Sequence, residues 1–115
     1  MEMRKPKKRE VTFAFAEGFE DSLHQLVSNG SAEFGRYKIF LERKGKIPPE
    51  RLPGTMSDHS LDGALSDFRE CHLSGNVLLI YTHENDLVTL YRVCDHDAIR
   101  GKRGSQLAKD MKRKR

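Results

Sequence analysis

Residues 77–83 read Val77-Leu78-Leu79-Ile80-Tyr81-Thr82-His83, bounded by Ser74-Gly75-Asn76 before and Glu84-Asn85-Asp86 after. The apolar run is too short for a typical helix and is flanked by turn-forming residues, so it predicts a core strand covered on both faces. Working outward, Asp67–Leu73 and Leu87–Cys94 are the next two strand candidates, each joined to it by one of those turns. Together they predict a three-stranded antiparallel meander with 77–83 in its centre.

Further out, Val11, Thr12, Phe13 and Phe15 mark a β-prone segment over 10–15. Phe19, Leu23, Leu26 and Val27 then recur at helical spacing, stopped by Asn29-Gly30. Ser31 is a suitable N-cap for a second helix with Phe34, Tyr37, Phe40 and Leu41 on its apolar face. Gly45 suits the position after that helix, and Pro48-Pro49 prevents its restart. The expected class is α+β: an N-terminal strand, an antiparallel helix hairpin packed on a sheet, then the meander. A Pro-, Gly- and Ser-rich loop fills 46–63, long enough to mark function or disorder more than simple connection.

The chain of 115 residues suits one domain, assigned to 10–100, and is 37% hydrophobic and 33% charged. No apolar stretch approaches the ~20 residues of a membrane span, and the basic start lacks the apolar core of a secretory signal, so a cytoplasmic protein is expected. Cys71 and Cys94 lie far apart in sequence with no CxxC spacing and are expected as reduced, half-buried thiols. The net charge of +4 is unevenly spread: 1–9 and 100–115 together carry +11, leaving −7 on the body. Both ends are expected as basic tails. The later one, 101–115, reads as flexible, or as a short helix needing a partner for Leu107, Ala108 and Met111. Such tails are either solvated ends or a source of attraction to a polyanion.

Chemistry concentrates in three histidines, His59, His72 and His96, and in Arg92, four residues before the last of them. Imidazole alone among side chains exchanges protons near neutral pH without help. Two imidazoles converging with a guanidinium make a metal-free site for cleaving a phosphodiester. Arg92 and His96 share strand parity, whereas Tyr91 falls on the opposite parity and reads as core. His24 and His83 read as surface, and Arg69 as a structural cation paired with Glu70 or Asp67. Zinc ligation by the three histidines fits no common finger spacing, so no metal and no cofactor are expected.

Four segments resemble motifs of one family. Asp58-His59-Ser60-Leu61-Asp62-Gly63, Phe68-Arg69-Glu70-Cys71-His72, Leu78-Leu79-Ile80-Tyr81 and Leu90-Tyr91-Arg92 with His96 are similar to the D-H-x-L-x-G, Y-R-x-x-H, L-I-Y and R-T-G-x-H elements of the YafQ branch of the RelE/ParE toxin superfamily. The likeness covers about residues 10–101, most specifically 58–101. It implies a RelE-like fold and a ribosome-dependent endoribonuclease that cuts messenger RNA. It also implies a cognate antitoxin protein that neutralises the toxin in a hetero-oligomer. On this resemblance His96 is the general acid. His72 and His59 are bases or phosphate contacts, and Arg92 grips the scissile phosphate. Asn76, Arg100, Asp58, Lys102 and Arg103 are the substrate-binding candidates. Asn76 stands where the family usually has an acid, and Arg100 where it usually has an aromatic. Two other readings stay open: a ParE-like toxin or inactive relative that acts by contact alone, and a nucleic-acid-binding module driven by its tails.

Overall fold

The computed structural model describes residues 9–113; most of the basic stretch 1–9 lies outside the described residues. Its regular elements are β1 (Thr12–Phe15), α1 (Phe19–Leu26), α2 (Ala32–Lys44), β2 (His59–Ser60), β3 (Arg69–Ser74), β4 (Val77–Glu84), β5 (Leu87–Cys94) and α3 (Gly101–Arg113). One five-stranded sheet runs in the order β1-β5-β4-β3-β2. Among the described residues only the β1–β5 pair is parallel; the meander pairs antiparallel throughout. β4 takes the central place its apolar run predicts, with Leu78, Leu79, Ile80 and Tyr81 all fully buried.

Alternation along each strand feeds two cores. On one face Cys71, Leu73, Leu79, Tyr81, Val88, Leu90 and Val93 meet Phe19, Val27, Tyr37 and Phe40 of the helix hairpin. On the other, Phe68, Leu78, Ile80, Tyr91 and Cys94 meet Leu107, Ala108 and Met111 of α3. The sheet is therefore the middle of three layers, as an α+β domain with two apolar sheet faces requires. Ser31 caps α2 as expected, its hydroxyl accepting the Phe34 amide at 3.1 Å. Gly45 follows α2 for a reason of space. Its φ is −77°, but a Cβ there would stand 2.8 Å from the Leu41 carbonyl oxygen.

Three expectations change. The segment from 101 is a 13-residue amphipathic helix, not a flexible tail. Leu107, Ala108 and Met111 are buried, and the partner they need is the second face of the chain's own sheet. Gly104 lets this helix begin, since a Cβ there would lie 2.3 Å from the Ile99 carbonyl oxygen. The loop at 46–63 is pinned by the buried side chains of Leu52, Met56 and Leu61, and it supplies a two-residue edge strand, β2, that carries His59. The parity expected at Tyr91 also fails. Tyr81 pairs with Leu90 and Ile80 with Arg92, so Tyr91 is the extra residue of a β-bulge. It is core, as expected, but in the same layer that Arg92 faces.

Candidate functional site

β2, β3 and β4 set a short row of side chains on the α3 face of the sheet. His59 lies opposite Glu70, and Glu70 opposite Ile80. His72 sits two residues along β3 from Glu70 and shares its face, opposite Leu78. His96 opens a 3-10 turn, His96–Ile99, just past β5; the Asp95 carboxylate caps that turn by accepting the Ala98 amide at 3.0 Å. The outcome is a line of three imidazoles. The His59 and His72 ring centres are 6.5 Å apart, and those of His72 and His96 are 5.2 Å apart in an edge-to-face arrangement.

Hydrogen bonds assign protons to these rings. Asn76 Oδ1 accepts from the His96 backbone amide at 3.3 Å and faces His96 Nδ1 at 3.0 Å. A backbone amide only donates, so the Asn76 atom between them is the oxygen, and Nδ1 carries a proton. His96 is left with Nε2 free for chemistry. Glu70 Oε1 lies 2.8 Å from His59 Nε2 and 3.4 Å from His72 Nε2. A carboxylate only accepts, so His72 Nε2 donates its hydrogen bond to Glu70 and His72 keeps Nδ1 free. His59 Nδ1 in turn faces the Ser60 carbonyl at 2.9 Å. Both its nitrogens face oxygen atoms, those of the Ser60 carbonyl and the Glu70 carboxylate.

Glu70 is the member the sequence reading missed. Its side chain is only 5% exposed, and its second oxygen, Oε2, is buried without a hydrogen-bond partner. The i, i+2 spacing of Glu70 and His72 on a predicted strand was the available signal, hidden because Glu70 reads as a surface partner for Arg69. One ligand atom from each of His59, Glu70 and His72 falls within 4.8 Å of the others, so the trio has donors suited to a transition-metal ion.

The remaining candidates are spread around this line. Arg92 does not join the histidines. It lies across Ile80 from Glu70, and its guanidinium bonds Asp110 of α3 at 2.6 Å, with Nε buried and unpartnered. Arg100 is 73% exposed and loosely paired with Asp97 at 3.7 Å. Lys102 and Arg103 are exposed on the first turn of α3. Asp58 belongs to a separate half-buried network. It accepts from the Tyr81 hydroxyl and pairs with Lys44 at 3.0 Å and with Arg69 at 3.3 Å. Arg69 thus pairs with Asp58, not with Glu70 or Asp67. Burial opposes ionisation of Asp58, but Tyr81, Lys44 and Arg69 outweigh it and hold the carboxyl below its ordinary value. Burial, and then Asp58, push the Tyr81 hydroxyl far up. Cys71 and Cys94 are free thiols deep in the two cores; burial raises both, Cys94 to about 12, so neither is a nucleophile. Among the described residues no helix is long and apolar enough to cross a membrane.

Comparison with known proteins bears on this arrangement. Residues 15–101 match the family described as a bacterial toxin of type II toxin–antitoxin systems, YafQ. No curated protein sequence matches significantly. A metal-bound toxin from Helicobacter pylori is 30% identical over 78% of this chain and 99% of its own, with a TM-score of 0.62. A copper-bound L66S mutant toxin from the same organism is 26% identical over 78% and 99%, with a TM-score of 0.61. The Escherichia coli DinJ–YafQ toxin–antitoxin complex matches in fold with a TM-score of 0.64, at 19% identity over 79% of this chain and 98% of that one.

Proposed function

Because the chain belongs to the YafQ family of type II toxin–antitoxin toxins, we propose that it is an endoribonuclease that cuts messenger RNA on the ribosome without a metal, and that a cognate antitoxin protein restrains it. The observation that carries this reading is the pair His72 and His96, whose ring centres stand 5.2 Å apart, each oriented by its own acceptor.

RNA brings its own nucleophile. His72, held at Nε2 by Glu70, takes the 2′-OH proton at Nδ1 as the oxygen attacks phosphorus. His96, held at Nδ1 by Asn76, delivers a proton from Nε2 to the departing 5′-oxygen. The P–O5′ bond breaks as the P–O2′ bond forms, leaving a 2′,3′-cyclic phosphate and a 5′-hydroxyl. Positioned proton transfer of this kind contributes about 10²–10⁴-fold for each group. The charge growing on the phosphoryl oxygens falls to exposed Arg100, with His59 as a further phosphate contact. Arg92 adds to it only after parting from Asp110. The test is purified protein on translating ribosomes, with end-mapping of the message. Wild type should leave cyclic-phosphate ends, and His96→Ala and His72→Ala should each lose at least a hundredfold in rate. Equal cutting by wild type and both variants would end this reading.

A second occupant of the same site is favoured by the buried, unpartnered Oε2 of Glu70. A divalent zinc or copper ion would be held by His59, Glu70 and His72, as befits a chain similar to metal-bound toxins. An ion bound at His72 Nε2 leaves that ring's proton on Nδ1, the atom that must act as base, so it inhibits rather than assists. Calorimetric zinc binding that is lost in Glu70→Gln, with cleavage restored by a chelator, is the expected result; zinc uptake unchanged by that substitution would refute it.

A further inference from the structure

The loop at 46–63 also folds over the opposite face of the sheet edge, where it closes a cavity of about 530 Å³ against α2, β3 and β4. We infer that this cavity is a second RNA contact, a subsite for one backbone phosphate and its sugar beyond the linkage that is cut. The inference rests on the ribonuclease reading above, for which it names a further hold on the substrate.

The cavity's place follows from the register of three strands. His59, Glu70 and Ile80 stand side by side across β2, β3 and β4, and Ser60, Arg69 and Tyr81 form the adjacent row. Successive residues of a strand face opposite sides, so the two rows lie back to back. The first row belongs to the imidazole line. The second backs the cavity, with Arg69 donating to Ser60 Oγ at 3.0 Å. β2 is only two residues long and is the last strand in the sheet order, so the border between the two faces is narrow. An RNA strand that runs along His96, His72 and His59 meets that border next and turns over it into the cavity.

Charge decides what the cavity holds. Lys44, Arg51 and Arg69 line it with three cations. Asp58 is shared between Lys44 at 3.0 Å and Arg69 at 3.3 Å, so one carboxylate meets two of them. Glu50 turns to Lys46 at 2.8 Å and to Arg43 at 3.9 Å, neither of which lines the cavity. The Arg51 guanidinium is exposed and has no hydrogen bond or ion pair among the described residues. An anion entering there finds net positive charge and one unengaged planar fork, a shape that suits two phosphate oxygens. Burial, and then Lys44, hold His83 on the same wall below its ordinary value, so it lines the cavity as a neutral ring. Pro49 and Pro53 supply an apolar side for the sugar.

Two measurements on the full chain test this. The first uses a 2′-O-methyl oligonucleotide, which lacks the attacking hydroxyl and stays whole. Arg51→Gln should weaken its binding about tenfold whatever its sequence, the worth of one charge-assisted contact. The plot of log affinity against log salt should flatten by about 0.7, one phosphate contact of a single strand. Arg51 is exposed, so this variant keeps the fold. Affinity and slope both unchanged would overturn the subsite. The second measurement follows the amide resonances of Gly54 and Ser57, which the oligonucleotide should move in wild type and not in Arg51→Gln. A polyglutamate peptide that moved them as far would make the cavity a seat for an acidic protein. Free uridine 5′-monophosphate that the oligonucleotide could not displace would make it a nucleotide site. Either result refutes the inference. Binding that needs Arg51 in a protein that cuts no message would uphold the subsite while refuting the ribonuclease reading; cutting by a protein whose RNA affinity ignores Arg51 would do the reverse.

Discussion

Asn76 Oδ1 meets both the backbone amide and the Nδ1 of His96, at 3.3 and 3.0 Å, so a turn residue between β3 and β4 sets the tautomer of a ring at the far end of β5. Asn76→Ala should lower the cutting rate about tenfold, the worth of one oriented hydrogen bond. Asn76→Asp keeps an acceptor for both contacts and should retain most of the rate. An Asp variant as slow as the Ala one would mean that the Asn76 oxygen does not orient His96.

Glu70 orients two rings through one oxygen, so Glu70→Gln should do more than remove a surface charge. Glutamine keeps the size and one acceptor but loses the charge that strengthens the contacts to both rings. Cleavage should fall at least tenfold, chiefly in kcat, while the cooperative unfolding transition persists. If only KM changed, Glu70 would belong to RNA binding alone.

Asp58 links the loop at 46–63 to β4. With its carboxyl held below the ordinary value of 3.8, its stabilising effect is complete above that value and is lost as pH falls through the lower folded value. Asp58→Asn leaves Lys44, 9% exposed, without its carboxylate, and should cost about 3 kcal/mol at pH 7. Urea midpoints of the two proteins should differ by a constant amount from neutral pH down to about 5 and converge only below 3.8, as pH falls through the lower folded value. A gap that persists into acid would show that the loss came from packing rather than charge.

Docking of α3 is equally measurable. Met111 is 1% exposed against the second core, and Met111→Ala should cost about 3 kcal/mol in global stability. Lys109→Ala, on the outer face of the same helix, should change stability by less than about 0.5 kcal/mol. Hydrogen exchange that shows α3 opening freely while the sheet stays protected would disprove integral packing.

Much of this architecture was legible because local and global signals agree. The apolar run at 77–81, with turn residues on either side, located the central strand, and the Ser31 cap located the start of α2. The three histidines were legible as residue types, and their convergence followed from the meander. α3 was half legible: Leu107, Ala108 and Met111 were visible as anchors, but a single helix face cannot name its partner, and the dense Lys and Arg around them resembles a solvated tail. The Arg92–Asp110 pair joins residues 18 apart through the packing of that helix, which no spacing rule contains. Glu70 was misread because burial, not sequence neighbours, decides which carboxylate is desolvated between imidazoles.

The bulge at Tyr91 leaves the hydrogen-bond ladder balanced on either side: Leu90 still faces Tyr81 and Arg92 still faces Ile80, as if the tyrosine had been spliced in. Excising that one residue would let β5 close up without rotating Cys94 or His96. What would go is the ring that meets Phe68 edge-on at 5.0 Å beneath α3. The strand carries a spare link whose purpose lies wholly in the layer above it.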